Sequence, residues 1–304
     1  MKITCALCLQ EKDNKKNTHY LTDKIIRSCL NQDGENEREK GLYYDISNIS
    51  SDIPLGFQRN TTPERIEKAL GRGITNEDIE KSKNIPFSVD TVFCKDCEDI
   101  FTAIETEFIN KILPEFRGND LTNLSQLENS ENRLIRLFFL LQIWRTAVCS
   151  DSFTIADSTK EELRKIILSP LGSKNEELVK YPLSITYLQT LGGDEEFTRN
   201  VVGPTCDNKQ PKIIFFNDFI IQFYEKKEDI QFDNFYGLNN EKSYRKFINI
   251  EEEKFVFQIL SDKERRDFLE RKDTVKMQKI QYSNIALELW KQNGRNKWIY
   301  LLNY

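Results

Sequence analysis

This chain has one histidine, His19, among its 304 residues, so no second imidazole exists to ligate a metal or carry a proton. A basic surplus is missing too: 44 Lys and Arg stand against 49 Asp and Glu, for a net charge of −5. Proteins that grip nucleic acid mainly through its phosphates carry a basic face. The overall balance therefore argues against tight, nonspecific DNA binding by this chain alone. No apolar run spans a bilayer, because Leu137 to Leu141 is short and Lys212 to Tyr224 is interrupted. The start, Met1-Lys2-Ile3-Thr4-Cys5, lacks the apolar region of a signal peptide, which predicts a cytoplasmic protein without membrane contact. Also missing are a Walker loop, a dinucleotide-binding glycine fingerprint and a nucleophile elbow.

What the chain does hold is enough apolar material for a core, 38% hydrophobic with 20 Phe. It also holds seven cysteines, which in a reducing compartment point to metal binding and buried thiols rather than disulfides. Four of them form two Cys-x-x-Cys knuckles, Cys5/Cys8 and Cys94/Cys97. Two knuckles can close a tetrahedral Zn²⁺ site, and such a metal contributes folding energy directly. The segment between them must then loop out and return to the same ion. A rival assignment groups Cys5, Cys8, His19 and Cys29 into a local site and leaves the second knuckle idle. Four thiolates would fill the zinc's coordination, making it structural, since a catalytic zinc keeps one position open. Cys29, Cys149 and Cys206 lack ligand spacing and read as buried thiols.

The pattern along the chain predicts a strand, a knuckle turn, a polar loop and a return strand over residues 1–20. Asp23 then caps a short helix to Leu30, and 31–61 is loop-like. Thr62-Pro63 and Thr75 open two helices. The second knuckle opens a longer one, from Cys97 to about Leu113, with Phe101, Ile104 and Phe108 inward. This order suggests a treble-clef zinc finger with its insertion on the surface. Residues 119–130 read as a polar connection. Glu131 to Cys149 is apolar almost all round and must be buried. Ser158 caps another helix, ending near Leu168. Strands follow at Ser184–Gln189, Lys212–Phe216, Phe219–Glu225 and Lys254–Leu260. Ser261 caps a helix to about Glu270, and a separate helix covers 283–292. The fold class is α+β: a treble-clef or ββα zinc finger over 1–118 with a helical insertion at 31–90, then a mixed α+β domain over 119–304 around a buried central helix.

The knuckles together with Thr18-His19-Tyr20-Leu21-Thr22 and Phe93-Cys94-Lys95-Asp96-Cys97-Glu98 resemble the HNH endonuclease superfamily with a Cys₄ zinc. In that family an (Asp/Glu)-His-(Ile/Val)-x-Pro strand lies between the knuckles, and the second knuckle opens the helix of a ββα-metal fold. The resemblance implies that His19 is a general base on water. It also implies a second divalent cation, Mg²⁺ or Mn²⁺, that stabilises phosphate charge. Thr18 stands where the acidic ligand belongs and Thr22 where the Pro belongs; Ser88 to Thr91 supply no Asn. Glu98 and Glu105 are the candidate catalytic carboxylates, with Asp90 and Asp23 as other replacements. Run together with Trp144-Arg145-Thr146-Ala147 and Glu162-Leu163-Arg164, this region is similar to HNH-like proteins of bacteria. The family's context implies defence against phage beside an ATPase partner.

Each candidate also has a plainer reading. Glu98 and Glu105 are seven residues apart, about 10 Å along a helix axis, too far to share one ion easily, and a carboxylate in the first turn offsets the helix dipole. His19 can simply hydrogen-bond beside the knuckle. Trp144 and Arg145 suit packing and an internal salt bridge. Lys12, Lys15, Lys16, Lys24 and Arg27 form either a phosphate-binding patch near His19 or an ordinary solvated face. Two functions follow: a nuclease acting on nucleic acid, or a non-catalytic zinc-stabilised module that engages a protein partner through the Phe- and Tyr-rich residues 183–304.

Overall fold

The structure, a computed structural model, describes residues 1–30, 42–45, 55–57, 61–83, 87–117, 119–170, 174–190, 201–205, 210–232, 238 and 241–292. Its N-terminal part runs β1 (Lys2–Thr4), β2 (Glu11–Asp13), β3 (Thr18–His19), α1 (Asp23–Leu30), β4 (Leu42–Asp45) and β5 (Leu55–Phe57). Next come α2 (Pro63–Leu70), α3 (Asn76–Lys83), β6 (Ser88–Val89), α4 (Lys95–Lys111), β7 (Gln126–Asn129) and α5 (Asn132–Cys149). The remainder is α6 (Asp157–Leu168), α7 (Asn175–Val179), β8 (Leu183–Leu188), β9 (Val201–Pro204), β10 (Lys212–Phe216), β11 (Phe219–Phe223), α8 (Glu241–Tyr244), β12 (Phe255–Leu260) and α9 (Asp262–Gln292). This is a mixed α+β protein. No helix among the described residues is long and apolar enough to cross a membrane.

Local chemistry accounts for several boundaries. Pro63 sits at the start of α2, and Gly71 ends it with φ of 61°, a left-handed conformation that costs glycine little. Before α3, Thr75 and Asp78 exchange bonds: the Asp78 N–H donates to Thr75 Oγ1 and the Thr75 N–H to Asp78 Oδ2. Ser261 and Glu264 make the same reciprocal pair ahead of α9. α1 begins at Asp23 with Thr22 ahead of it, since Thr22 O accepts from the Ile25 and Ile26 N–H groups; Asp23 is in the helix and does not cap it. Likewise α6 is preceded by Ala156, so Ser158 lies inside the helix.

The eight-stranded sheet has the order β5-β4-β9-β10-β11-β8-β12-β7. Its strands pair antiparallel except β8 with β12 and β4 with β9. One face is apolar at every second position: Phe219, Ile221 and Phe223 of β11, Leu183, Ile185 and Tyr187 of β8, Phe255, Phe257 and Ile259 of β12. Against this face lies α5, buried from Leu134 to Ala147 as its unbroken apolar run requires. Among its polar residues, Arg136 donates to Asn132 Oδ1 at 2.7 Å and to the carbonyls of Leu178, Tyr181 and Glu251. Phe108 of α4 stacks on Phe138 of α5 at 3.8 Å and meets Phe219 of the sheet edge-on at 6.4 Å. One hydrophobic cluster thus runs from Cys5 to Ile259.

Several expectations change. Within 31–61, expected as surface loop, β4 and β5 extend the sheet, and β4 pairs with β9. Residues 126–129, expected as connection, form β7 on β12. β9 and α7 were not anticipated, and α9 is one helix of 31 residues rather than two. Cys206 lies outside the described residues. Helix α1 is pinned to the sheet at the β10–β11 turn. Arg117 grips Asp218 through Nε at 2.6 Å and Nη2 at 2.9 Å while donating to Ser28 Oγ and Ile25 O. Asn217, at φ of 56°, donates to Ile26 O at 3.1 Å.

Phe108 joins α4, α5 and the sheet, so Phe108→Ala should cost about 3–5 kcal/mol in urea unfolding. The exposed Lys111→Ala, one turn on, should stay within about 0.5 kcal/mol of the parent.

Candidate functional site

The β1–β2 hairpin carries the first knuckle at its turn, in the register Ile3 opposite Lys12. Leu9 closes the turn at φ of 59°, its N–H donating to Cys5 O at 2.8 Å. Two contacts bring the second knuckle alongside: the Ala6 N–H donates to Val92 O at 2.9 Å, and Asn14 bridges to Cys94. Cys94 adopts extended backbone as the residue before α4, which puts Cys97 in that helix's first turn. From α6, Arg164 donates to Leu7 O at 2.6 Å and steadies the knuckle from behind.

The Sγ atoms of Cys5, Cys8, Cys94 and Cys97 all lie within 4.8 Å of one another, with Cys8 and Cys94 at 4.0 Å. A tetrahedron with metal–sulfur bonds of about 2.3 Å has edges of about 3.8 Å, so the quartet is spaced to close on an ion. None of the four is in a disulfide. The Cys94 N–H points at Cys5 Sγ at 3.4 Å, the kind of bond that thiolate ligands accept. Burial opposes ionisation of Cys5, but backbone N–H groups of Cys8, Cys94 and Leu7 outweigh it and bring its thiol down to about 7. Burial and the neighbouring sulfurs push Cys97 the other way. Four such groups are compatible with a structural metal ion such as zinc. The grouping also leaves no place for the rival site with Cys29, because Cys5 and Cys8 are taken by the second knuckle.

Beyond the quartet, β3 pairs antiparallel with β6, Thr18 opposite Val89 and His19 opposite Ser88. The turn entering β3 is fixed by Asp90, which accepts from the Asn17 N–H at 2.8 Å through Oδ1 and from Asn14 Nδ2 at 2.6 Å through its carbonyl. His19 Nε2 lies 3.5 Å from Asp23 Oδ1, and Asp23 Oδ2 holds Arg27 Nε at 2.8 Å. Thr18, fully buried, has its hydroxyl beside the Glu98 carboxylate. Burial pushes Glu98 above the ordinary carboxyl range, against the pull of the Arg145 charge.

Glu105, two turns along α4, is occupied. It forms an ion pair with Arg145 and accepts from Thr22 Oγ1 at 2.7 Å. The Thr22 N–H donates to Gln142 Oε1 at 3.0 Å. Glu98 and Glu105 thus line the face of α4 turned toward β3 and the residues after it. Among the described residues, however, the cysteine quartet is the one group of three or more ligating side chains gathered around a common point. His19, Asp23, Glu98 and Glu105 do not converge into a second. Asp90 serves the turn before β3.

The roles of Asp23 at His19, and of Gln142 and Arg164 as supports, did not emerge from sequence. Asp23 had a signal, its spacing four residues after His19; Gln142 and Arg164 meet partners 120 and 157 residues away, and carried none. The paired lysine of the basic stretch is Lys12, held by Asp96 at 2.6 Å; Lys15, Lys16 and Lys24 are exposed.

Comparison of the chain with family models, with curated proteins and with solved structures returns no match in any of the three.

Purified protein should carry one zinc per chain by elemental analysis. Cys94→Ser should lose the metal together with cooperative unfolding, because binding at a site of four buried thiolates is linked to folding. Thiolates bind and thiols do not, so metal held at neutral pH should be released as pH falls, read with a colorimetric chelator.

Proposed function

We propose that this chain is a zinc-stabilised, HNH-like protein that hydrolyses phosphodiester bonds in nucleic acid, with His19 as the base. One observation carries the reading. His19 ends the first strand of the β3–β6 pair, and that pair leads directly into α4, opened by the second half of the cysteine quartet. Strand, strand and helix above a four-sulfur site is the order that the HNH resemblance implies, with the treble clef as its frame and zinc as its structural ion. Asp23 at the imidazole would orient the ring and favour its protonated form once a proton is taken from water. Glu98 faces Thr18 of the base strand, while Glu105 acts as an anchor for Arg145. A Mg²⁺ or Mn²⁺ ion serving this reaction would take at most one or two carboxylates from the described residues, with substrate phosphate and water completing its shell. The biological setting suggested by the resemblance is bacterial defence against phage, alongside an ATPase partner.

A second reading keeps the zinc scaffold and drops the chemistry. In it the chain binds a protein partner through residues 183–304. It is favoured by Thr18, fully buried where an acidic cation ligand belongs, and by the engagement of Glu105 with Arg145.

Plasmid DNA and RNA incubated with Mg²⁺, Mn²⁺ or Ni²⁺ separate the two. Under the first reading cleavage occurs and His19→Ala lowers its rate about a hundredfold or more. Cleavage indifferent to that substitution removes His19 as base. No cleavage under any condition leaves the binding reading.

A further inference from the structure

Arg145 belongs to the central helix of the core, yet its guanidinium serves the segment around His19. Its side chain is 2% exposed. Nη1 donates to the His19 carbonyl at 3.0 Å; Nη2 reaches Gln142 Oε1 at 3.2 Å and Thr22 Oγ1 at 3.4 Å and pairs with Glu105. The ring of Phe101 stacks below it, 5.2 Å from the guanidinium carbon. One rigid fork therefore ties α5, α4 and the chain on both sides of Tyr20 into a single polar cluster.

As a stabiliser this is poor economy, for a buried ion pair often does no better than well-packed apolar side chains of the same volume. As a means of fixing geometry it is effective. The bond to His19 goes to the residue's own carbonyl, and the bond through Thr22 fixes the residue ahead of α1, whose first residue is Asp23. Both partners of the His19–Asp23 pair are thus referred to one guanidinium. We infer that Arg145 is a positioning residue for His19, holding the imidazole in place against Asp23 by way of the His19 carbonyl and Thr22. The inference rests on His19 being the working group of the site, but its test does not require cleavage.

The charged groups gathered around this strand end are Asp23 and Arg27 of α1, Glu98 and Glu105 of α4, Arg145 of α5 and Lys15 of the preceding turn. Because the chain has a single histidine, isotope-labelled histidine reports one imidazole without assignment. The full-length, zinc-loaded protein would be compared with Arg145→Met, Arg145→Lys and a core control on the same helix, Leu140→Ala. Zinc content shows which variants are folded. Arg145→Met should displace the imidazole resonances, Arg145→Lys should return them part of the way, and Leu140→Ala should leave them in place despite lower stability. If Arg145→Met does not fold, Glu105→Gln removes the guanidinium's charged anchor with little change of shape and should displace the same signals. Unmoved resonances in the folded variants, or an equal displacement in Leu140→Ala, would overturn the inference. Where the parent cleaves nucleic acid, kcat should fall about a hundredfold in Arg145→Met with KM held, the cost of misplacing a reacting group. A parent that does not cleave defeats the hydrolytic reading alone, since the resonances still decide the positioning.

Discussion

Everything at the N-terminal end of this molecule depends on four sulfurs meeting at one point. Cys5 and Cys8 come from the turn of a hairpin, Cys94 and Cys97 from the opening of a helix 89 residues away in sequence. Mutual repulsion of buried thiolates would drive such a group apart, and a cation at its centre would turn a destabilising cluster into a joint. That joint sets the start of α4, and with it the face along which Glu98 and Glu105 are displayed. Beside it lies the short β3–β6 pair, too small to persist by itself.

A second layer of order comes from the core. α5 is buried around its whole circumference, and its few polar residues are spent on fixing other parts of the chain rather than on solvent. Arg136 binds the carbonyls that close the α7 end of the molecule, while Gln142 and Arg145 bind the segment from His19 to Thr22. A polar group in such a place is costly if left unsatisfied, which limits each to one arrangement. The sulfur quartet fixes the turn of the hairpin; the central helix fixes the segment from His19 to Thr22.

How much of this is readable in the sequence varies with the range of the interaction. The knuckles and the buried helix are legible because spacing and unbroken hydrophobicity are local signals. The same holds for the Thr62-Pro63 and Ser261 starts and for β8, β10, β11 and β12, which are rich in aliphatic and aromatic residues. β4, β5 and β7 are three or four residues long and lie at or near the sheet's edges, so their identity is conferred by neighbours far away in the chain. The helices expected to about Glu270 and over 283–292 are one in α9, whose first turns are anchored by the buried Phe268 and Leu269. At the site, His19, Glu98 and the quartet were visible as types and spacings. The ties of Glu105 to Arg145 and of Thr22 to Gln142 cross 40 and 120 residues, and no local pattern encodes them.

The order of strands in the sheet bears on how the chain is made. Among the described residues β7, near the middle of the sequence, pairs only with β12, and β8 has β12 as its parallel neighbour. During synthesis the ribosome releases both knuckles, α4 and α5 long before β12 emerges. The four sulfurs are therefore all available to an ion while the apolar flank of α5 still awaits its cover, and that flank is where a nascent chain of this protein most needs a chaperone's shelter.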